Sequence, residues 1–205
     1  MKKSVTEYTV ERCPRSHIVE FVETYHYSRN MNGLTTTYCF KLMDGMELIG
    51  AIVYGSIAMA GVAETYINDT SKLLELKRLV CIDDTPKNTE SYFIGWTLRW
   101  LQRNTDLEIV ISYADTTYGH EGTVYKATNF KFVGETSPGK VILYNGKRYH
   151  DKTIRTVHKG KPKPFALEIQ KALEVGQAKY VDTKPKNIYI YKFKKRKSKI
   201  NRWFG

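Results

Sequence analysis

Hydrophobic and polar residues alternate with two different periods along this chain, and the changes of period predict its helices. Residues 16–25 place apolar side chains at helical spacing between acids, which predicts a short amphipathic helix. After the sequence DDTPKNTE, aromatic and aliphatic residues form a wide apolar stripe, so a long helix is expected to run to about Gln102. Shorter helices are predicted over residues 122–128 and 165–174, the second after a proline-marked linker.

Strand patterns fill most of the remaining chain. Residues 35–42 and 48–54 flank the hairpin sequence DGME, residues 107–113 and 188–193 form single strands, and residues 132–144 hold two strands around SPGK. Residues 73–82 combine a helix-like start with a strand, and residues 55–66 receive no assignment. Helices and strands alternate in the middle of the chain, which predicts an α/β or α+β fold with a mixed sheet flanked by helices.

The ends of two predicted strands are the first candidates for a functional site. In open sheets of this kind, ligands bind beyond the carboxyl ends of the central strands. One such end is Cys81-Ile82-Asp83, and the other is Tyr113-Ala114-Asp115. The second is followed within ten residues by Tyr118, His120, Glu121 and Tyr125, a density of titratable and aromatic side chains that a simple connecting loop does not need.

Composition narrows the class of protein. The 205 residues are 41% hydrophobic, enough for a core, and no stretch approaches 18 consecutive apolar residues. The start MKKSVTEYTV has no apolar segment behind its lysines, so no signal peptide and no membrane partner are expected. Three cysteines without CxxC spacing indicate reduced, buried thiols rather than disulfides or a zinc site, so a cytoplasmic location is expected.

The net charge of +12 is concentrated in the last third of the chain. Residues 1–139 hold 14 Lys and Arg against 17 Asp and Glu, whereas residues 140–205 hold 19 against 4. Concentrated cations interleaved with aromatics favour contact with nucleic acid, while a last strand with a frayed basic end is the alternative. The candidate DNA-binding residues are Lys147, Arg148, Tyr149, Lys152, Arg155, Lys194, Lys195, Arg196 and Lys197.

The order of elements resembles the GNAT acetyltransferase fold. That resemblance implies an acyl-CoA-type donor such as acetyl-CoA, held by amides where a strand meets a helix, here within CIDDTPKNTESYF. The implied cofactor-binding residues are Lys87, Asn88, Thr89 and Ser91, together with Tyr125 of VYKATNF near the coenzyme sulfur. The sequence departs from the family's glycine-rich loop, since it has no glycine between Cys81 and Gly95.

Three segments taken together resemble a narrower family. YHYS at 25–28, ELKRLVCIDDTPKNTESYF at 75–93 and SYAD…GHEGTVYKATNFKFVG at 112–134 are similar to the Mom family of phage proteins. Those proteins convert adenine in phage DNA to an N6-carbamoylmethyl form that evades host restriction. The resemblance implies a phage or prophage enzyme that transfers a small acyl-derived group to adenine N6 in double-stranded DNA.

The resemblance also implies catalytic roles. Asp115 matches the aspartate of SYAD and is the candidate base or orienter for N6, with an Asx cap on the following turn as the alternative. Tyr125 can donate to a leaving group, or pack in the core. His26 and Tyr27 match YHYS, and Tyr27 can stack on a base extruded from the duplex. A surface role is the alternative for His26.

Other arrangements receive less support. His26, Asp115 and His120 contain the ligand types of a two-histidine-one-carboxylate iron site, but their spacing forms no metal motif. We expect residues 1–160 to form the catalytic core and residues 161–205 a basic segment, packed on the core, with a helix and a last strand. Two other functions stay open: an ordinary N-acetyltransferase for an amine of protein, RNA or a metabolite, and a non-catalytic DNA-binding protein on a GNAT relic.

Overall fold

The computed structural model of the chain describes residues 3–57, 60–155, 157–158 and 161–194. Five α-helices lie in that part, and the longest, α3, has the wide apolar face that its sequence predicts. α5 begins with a proline at its first position, where the missing N–H costs no hydrogen bond. The helices are α1 (Val19–Tyr25), α2 (Ala60–Glu64), α3 (Thr89–Asn104), α4 (Thr123–Ala127) and α5 (Pro164–Glu174).

Seven of the described strands form one mixed sheet, which confirms the predicted α/β architecture. The sheet order is β1-β2-β3-β4-β5-β12-β6. The first four strands pair antiparallel, whereas β4 and β5 pair parallel across the connection that contains α3. These strands are β1 (Thr9–Cys13), β2 (Tyr38–Asp44), β3 (Glu47–Gly55), β4 (Leu73–Cys81), β5 (Ile109–Asp115), β6 (Lys131–Glu135) and β12 (Lys186–Lys192).

A smaller sheet and a short ladder contain the other described strands. The three-stranded sheet has the order β11-β7-β8, and β9 pairs with β10. Helix α5 packs on the small sheet, where Ile142, Ile169, Ala172 and Ala178 form a separate buried cluster. These strands are β7 (Gly139–Tyr144), β8 (Lys147–His150), β9 (Val157–His158), β10 (Lys161–Pro162) and β11 (Lys179–Thr183).

The chain divides into two compact units. Among the described residues, the first unit holds those up to Tyr113, Gly122–Val133, and those from Ile188 onward. The second unit holds Ala114–Glu121 and Gly134–Asn187. The division expected near residue 160 stays a prediction, because a compact unit need not be a domain that folds alone.

The core of the first unit lies between α3 and the main sheet. Phe93, Ile94 and Leu101 of α3 are fully buried, and Tyr54 of β3 reaches the helix through a 2.7 Å hydrogen bond with Thr97. Burying a tyrosine hydroxyl without a partner is costly, so this bond fixes the helix on the sheet. A second cluster packs on α1, with Ile18, Val22, Met31 and Val53 among its buried members.

The strands differ from the sequence prediction in three ways. Residues 73–81 form strand β4 along their whole length, because their charged residues are accommodated in the sheet rather than on a helix face. The two strands around SPGK do not form one hairpin, since β6 lies in the main sheet and β7 in the small one. The edge strand β1 and strands β8 and β11 carry too few apolar residues for the sequence to indicate them.

The three thiols are free, and Cys13 and Cys39 are buried as the sequence predicts, whereas Cys81 is only partly buried. Cys13 and Cys39 lie directly opposite each other on β1 and β2, a proximity that their distance in sequence does not suggest. Burial raises the pKa of Cys13 to about 11, and burial also raises the pKa values of Cys39 and Cys81. Neutral thiols in such surroundings are poor nucleophiles.

We therefore expect the native protein to resist labelling by Ellman's reagent at pH 8. With a pKa near 11, roughly one thousandth of the Cys13 thiol is ionised at that pH. All three thiols should react rapidly once guanidinium chloride unfolds the chain, which supplies the internal control. Stoichiometric labelling of the folded protein within minutes contradicts this expectation.

Among the described residues, no helix is both long and apolar enough to cross a membrane.

Candidate active site

The central feature of the first unit is a gap between β4 and β5. The two strands pair through only four residue pairs, from Leu73 with Ile109 to Leu76 with Ser112. β4 then continues to Cys81 without pairing to β5, although β5 also continues. We call this place, beyond Leu76 and Ser112, the strand gap. It exposes backbone groups of both strands to a ligand at their carboxyl ends.

Helix α3 begins just beyond β4 and offers an anion site at its amino end. Asn88 precedes the helix with a left-handed backbone (φ 75°) and gives no side-chain cap. The first amides of a 16-residue helix and its dipole therefore favour a negative group there. Lys87 and Asn88 are exposed at this end, as a phosphate contact requires.

The hydroxyls of Thr89 and Ser91 are engaged inside this loop. Thr89 is fully buried and donates to the Pro86 carbonyl at 2.7 Å, and Ser91 donates to the Asn88 carbonyl at 3.0 Å. Backbone amides and Lys87 are thus the groups best placed to hold a pyrophosphate. The role predicted for the two hydroxyls stays a prediction, since each must rotate before it can donate to a ligand.

Tyr125 of α4 lies against β5. Its hydroxyl interacts with Ser112, whose own hydroxyl donates to the Leu76 carbonyl at 3.2 Å where the strand gap begins. Burial raises the pKa of Tyr125, and the Ser112 hydrogen bond only partly opposes that effect. The phenol is therefore protonated at neutral pH and can act as a proton donor. Packing also holds it, since its ring lies 5.4 Å from that of Tyr189.

Gly122 fixes where α4 begins. It precedes the helix with φ 75°, and a Cβ at this position meets the Tyr189 ring at 2.3 Å. Tyr189 itself is only 1% exposed, so it belongs to the core and not to a base-stacking surface. Glycine is thus required here for two reasons, the backbone conformation and the close ring.

A buried ion pair lies on β4 beside the strand gap. Lys77 Nζ is 3.0 Å from Glu75 Oε2, and their side chains are 6% and 19% exposed. The register of β3 and β4 shifts here, so that Tyr54 pairs with Leu76 and Val53 with Arg78, which leaves Lys77 between them. Charges in the otherwise apolar run LKRLVC were the available signal for this pair in the sequence.

Arg78 follows the ion pair and ties β4 to the segment after α1. Its Nε and Nη2 donate to the Asn30 carbonyl at 3.3 and 3.1 Å, and its Nη1 donates to the Lys77 carbonyl at 2.7 Å. Burial lowers the pKa of Arg78, and the nearby Tyr27 and Glu75 act against that effect. All three of these bonds end on carbonyl oxygens.

His26 and Tyr27 differ in their surroundings. His26 is 5% exposed, so the alternative of a surface histidine is wrong. Its Nδ1 accepts the Ser28 N–H at 3.1 Å and contacts the Ser28 hydroxyl at 2.8 Å, which places the proton of the neutral ring on Nε2. Tyr27 is 45% exposed, with its ring 4.2 Å from the His26 ring. Tyr27 therefore presents an aromatic surface on a buried support, as stacking requires.

In the second unit, Asp115 is held from two sides. Its Oδ1 accepts the Thr117 N–H at 3.1 Å, which is the cap that the sequence offered as an alternative to catalysis. Its Oδ2 lies 3.1 Å from Lys186 Nζ, and the carboxylate side chain is 12% exposed. The Thr116 hydroxyl donates to the Pro185 carbonyl at 2.8 Å, so two contacts join this turn to the start of β12 and the residue before it.

These contacts set the charge of Asp115. Burial raises the pKa of the carboxyl, but the hydrogen bond and charge of Lys186, with the Thr117 bonds, outweigh burial and hold the pKa below its usual value. The group is ionised at neutral pH, and a carboxylate with two partners still has lone pairs for a third. Lys186 is far from Asp115 in sequence, and no sequence pattern indicated it.

The predicted DNA-binding residues separate into exposed and packed groups. Lys147 and Arg148 are exposed on β8. Tyr149 is half-buried against Phe165, with ring centroids 5.1 Å apart, and Arg155 pairs with Asp151. Lys152 is exposed, and its N–H donates to His150 Nδ1 at 3.1 Å. Lys194 is exposed in the first unit, whereas Lys195, Arg196 and Lys197 lie outside the described residues.

No group of three or more His, Cys, Asp or Glu side chains in the described ranges could hold a metal ion. His26 lies in the first unit, whereas Asp115 and His120 lie in the second, so the combination of these three candidate iron ligands stays a prediction.

A cavity of about 880 Å³ lies at the other end of β5. Its lining includes Asn104, Leu107, Glu108 and Phe193. That is the amino end of the strand, opposite the edge where ligands of open α/β sheets bind. The strand gap is therefore the better candidate site.

Comparison with known sequences gives a family and a relative. The sequence model of the Mom protein family matches residues 7–203. The chain is 29% identical over 154 residues to the methylcarbamoylase Mom of Escherichia phage Mu. That match covers 73% of this chain and 63% of the relative, so the chain spans less than two thirds of the length of the phage Mu protein.

Comparison with solved structures gives the fold. The spermidine/spermine N-acetyltransferase SpeG of Vibrio cholerae is 9% identical with a TM-score of 0.51, over 92% of this chain and 94% of that one. The ribosomal-protein-S5-alanine acetyltransferase of Vibrio fischeri is 10% identical with a TM-score of 0.51, over 91% and 93%. At such low identity the likeness confirms the acetyltransferase fold that the order of elements predicts.

Proposed function

Because the chain belongs to the Mom protein family, we propose that it is a phage-type DNA-modification enzyme that transfers a small acyl-derived group to N6 of adenine. The observation that carries the catalytic part is the parting of β4 from β5 immediately before the uncapped amino end of α3. This arrangement supplies backbone partners and an anion site at the edge where α/β folds bind ligands. An N6-carbamoylmethyl product is the specific outcome proposed.

Residues near the strand gap fit an acyl-CoA-type donor. The amides that begin α3, with Lys87 and Arg78, are suited to the negative phosphates, and Tyr125 is a protonated donor for a leaving group. When bound, such a donor would supply a thioester carbonyl, and attack of N6 on it would release the coenzyme thiol and leave an N6-acyl group. The N6–CH2 bond and the amide nitrogen of a carbamoylmethyl product additionally require a nitrogen donor and a two-electron oxidant. The loop between β4 and α3 has no glycine, so its backbone is not expected to fold closely around a phosphate. Contact with phosphate would then depend on the amides that begin α3.

The low reactivity of adenine N6 determines what Asp115 must supply. The lone pair of adenine N6 is delocalised into the ring, so attack requires an acceptor for the N6 proton and a fixed orientation. An ionised, partly buried carboxylate held by Lys186 and Thr117 supplies an oriented acceptor. Because its pKa is lowered, the carboxylate is a weak base. Its main role is therefore to accept a hydrogen bond that orients N6.

Access to N6 in a duplex requires that the base leave the stack. Extrusion costs a few kcal/mol, which stacking and phosphate contacts must offset. Tyr27, supported by the buried His26 ring, is the proposed stacking partner. Lys147, Arg148 and Lys152, three exposed cations of the second unit, are the proposed phosphate contacts.

Two observations favour other functions. The likeness to acetyltransferases favours an ordinary N-acetyltransferase, which turns over acetyl-CoA with an amine acceptor in the absence of DNA. The engaged hydroxyls of Thr89 and Ser91 favour a non-catalytic DNA-binding protein, which binds DNA and leaves its bases unchanged.

The test is mass spectrometry of nucleosides from plasmid DNA of cells that express the protein, with cells carrying the empty vector as control. We expect a deoxyadenosine heavier by a carbamoylmethyl group only when the protein is present. Unchanged nucleosides from cells with abundant folded protein contradict the proposal. Acetyl-CoA turnover by the purified protein without DNA then identifies the ordinary acetyltransferase.

A further inference from the structure

The small sheet of the second unit has two chemically different faces. In antiparallel strands, directly paired residues point to the same side and neighbours along a strand alternate. Ile142, Tyr149 and Tyr180 pair across the three strands, and their side packs on α5. We call the opposite side the distal face; it carries Val141, Leu143, Arg148, His150, Lys179, Val181 and Thr183.

Charge is segregated between these faces. None of the seven side chains of the distal face is acidic. The acids that contact the sheet meet residues of the α5 side: Asp182 pairs with Lys140, Asp151 accepts from Tyr180, and Glu168 accepts from Tyr144. Cations and acids are therefore interleaved on one side, whereas the other side carries basic, apolar and neutral polar residues and no acid.

The centre and the flanks of the distal face differ in polarity. Val141, Leu143 and Val181 are half-buried, whereas Arg148, His150 and Lys179 are exposed. The backbone N–H of Lys152 donates to His150 Nδ1. The neutral imidazole ring therefore carries its proton on Nε2, which can donate a hydrogen bond. The distal face thus has cations around an apolar centre and no acid among its side chains. Such a surface is complementary to a polyanion that has apolar groups between its charges.

Register fixes the spacing of the two permanent cations. Leu143 pairs with Arg148 on one side and with Lys179 on the other. Neighbouring strands are about 4.8 Å apart, so this row places the two cationic residues roughly 10 Å apart. The major groove of B-DNA is about 12 Å wide and admits β-structure. Long side chains from such a row can reach phosphates on both sides of the groove.

We propose that the distal face docks on duplex DNA, with Arg148 and Lys179 on phosphates at the two sides of the major groove and Leu143 between them. This inference rests on the proposed function for its ligand and adds the surface, its orientation and the residues His150 and Lys179. Lys147 and Tyr149, on the same hairpin, belong to the α5 side.

The test compares two double variants of the full chain that lose the same charge. One is Arg148→Ala with Lys179→Ala on the distal face, and the other is Lys140→Ala with Lys171→Ala on the α5 side. Fluorescence anisotropy with a labelled 25-base-pair duplex gives the affinity at several salt concentrations. Thermal unfolding checks that both variants fold, as expected for exposed positions.

We expect the distal-face variant to lose on the order of tenfold in affinity for each phosphate contact at 0.1 M salt, and its salt slope to fall by about 2. The α5-side variant should bind nearly as the wild type does. An Arg148→Lys, Lys179→Arg variant, which keeps both charges, should restore most of the binding.

Equal losses in the two double variants overturn the inference, because total charge then explains binding. Wild-type affinity in the distal-face variant overturns it as well, even where nucleoside analysis still finds modified adenine and the proposed function stands. Selective loss in the distal-face variant supports the surface whether or not adenine is modified, so the two proposals fail separately.

Discussion

Replacing Asp115 by asparagine is expected to lower modified adenine in plasmid DNA at least a hundredfold, within the range usual for a lost proton-transfer group. Asparagine keeps a side-chain oxygen that can accept the Thr117 N–H, so the turn stays capped. The substitution removes the negative charge that pairs with Lys186. The substitution therefore separates a catalytic carboxylate from a structural cap. Mass spectrometry of nucleosides, normalised to the amount of soluble protein, gives the readout.

The matched control is Asp182→Asn, which removes an acid of the same unit whose side chain is 81% exposed. Its product should equal that of the wild type. Full modification by Asp115→Asn shows that the carboxylate is only a cap, which leaves the family assignment intact and removes Asp115 from the mechanism.

The pH dependence follows from the lowered pKa of Asp115. A depressed pKa adds stability that is present above the ordinary aspartate pKa near 3.9 and is lost as the pH falls through the folded-state value. Ionisation of Asp115 therefore gives no fall in rate between pH 8 and pH 5. Loss of activity in the wild type within that range points to another group.

Gly122→Ala is expected to destabilise the protein strongly, whereas Gly119→Ala should cost only about 1–2 kcal/mol. Both glycines have nearly the same left-handed φ, 75° and 74°, so the backbone penalty is shared. They differ in space: a Cβ on Gly122 meets the Tyr189 ring at 2.3 Å, and a Cβ on Gly119 meets nothing within 4 Å. The difference between the variants measures the steric cost alone.

Urea unfolding monitored by fluorescence gives both values. We expect the Gly122 variant to lose an additional 1–3 kcal/mol or more, about the cost of overpacking a core. Because Tyr125 lies three residues on, its pairing with Ser112 should also be disturbed. Equal stability of the two variants indicates that Tyr189 can move aside. Glycine is then required at position 122 only for its left-handed backbone conformation.

Sequence patterns predicted α3 and β5 well because both have long apolar periods that tertiary contacts reinforce. They predicted β4 only in part, because they indicate a strand from Leu76 onward but a helix-like start, and they leave the charges of Glu75 and Lys77 unexplained. In the structure these charges neutralise each other inside the sheet, at a shift in strand register. Neither the pairing nor the shift can be inferred from local spacing, because both depend on β3.

In the candidate site, too, some residues could be predicted from the sequence and others could not. Asp115 could be found because it stands at the carboxyl end of a buried strand. Its partner Lys186 is one of twelve Lys and Arg residues between positions 140 and 187, and only the folded chain selects it. The distal face likewise depends on the register of β7 with two strands that the sequence did not indicate.

The position of β12 has a consequence for biosynthesis. Its residues, Lys186–Lys192, lie between β5 and β6 in the main sheet, so two strands are joined by one that is synthesised well after both. Contacts over such long sequence separations slow folding. On the ribosome, the edges of β5 and β6 that pair with β12 stay unpaired until β12 has emerged, and unpaired strand edges promote aggregation. A nascent chain cut before residue 186 therefore cannot complete the sheet that carries the strand gap.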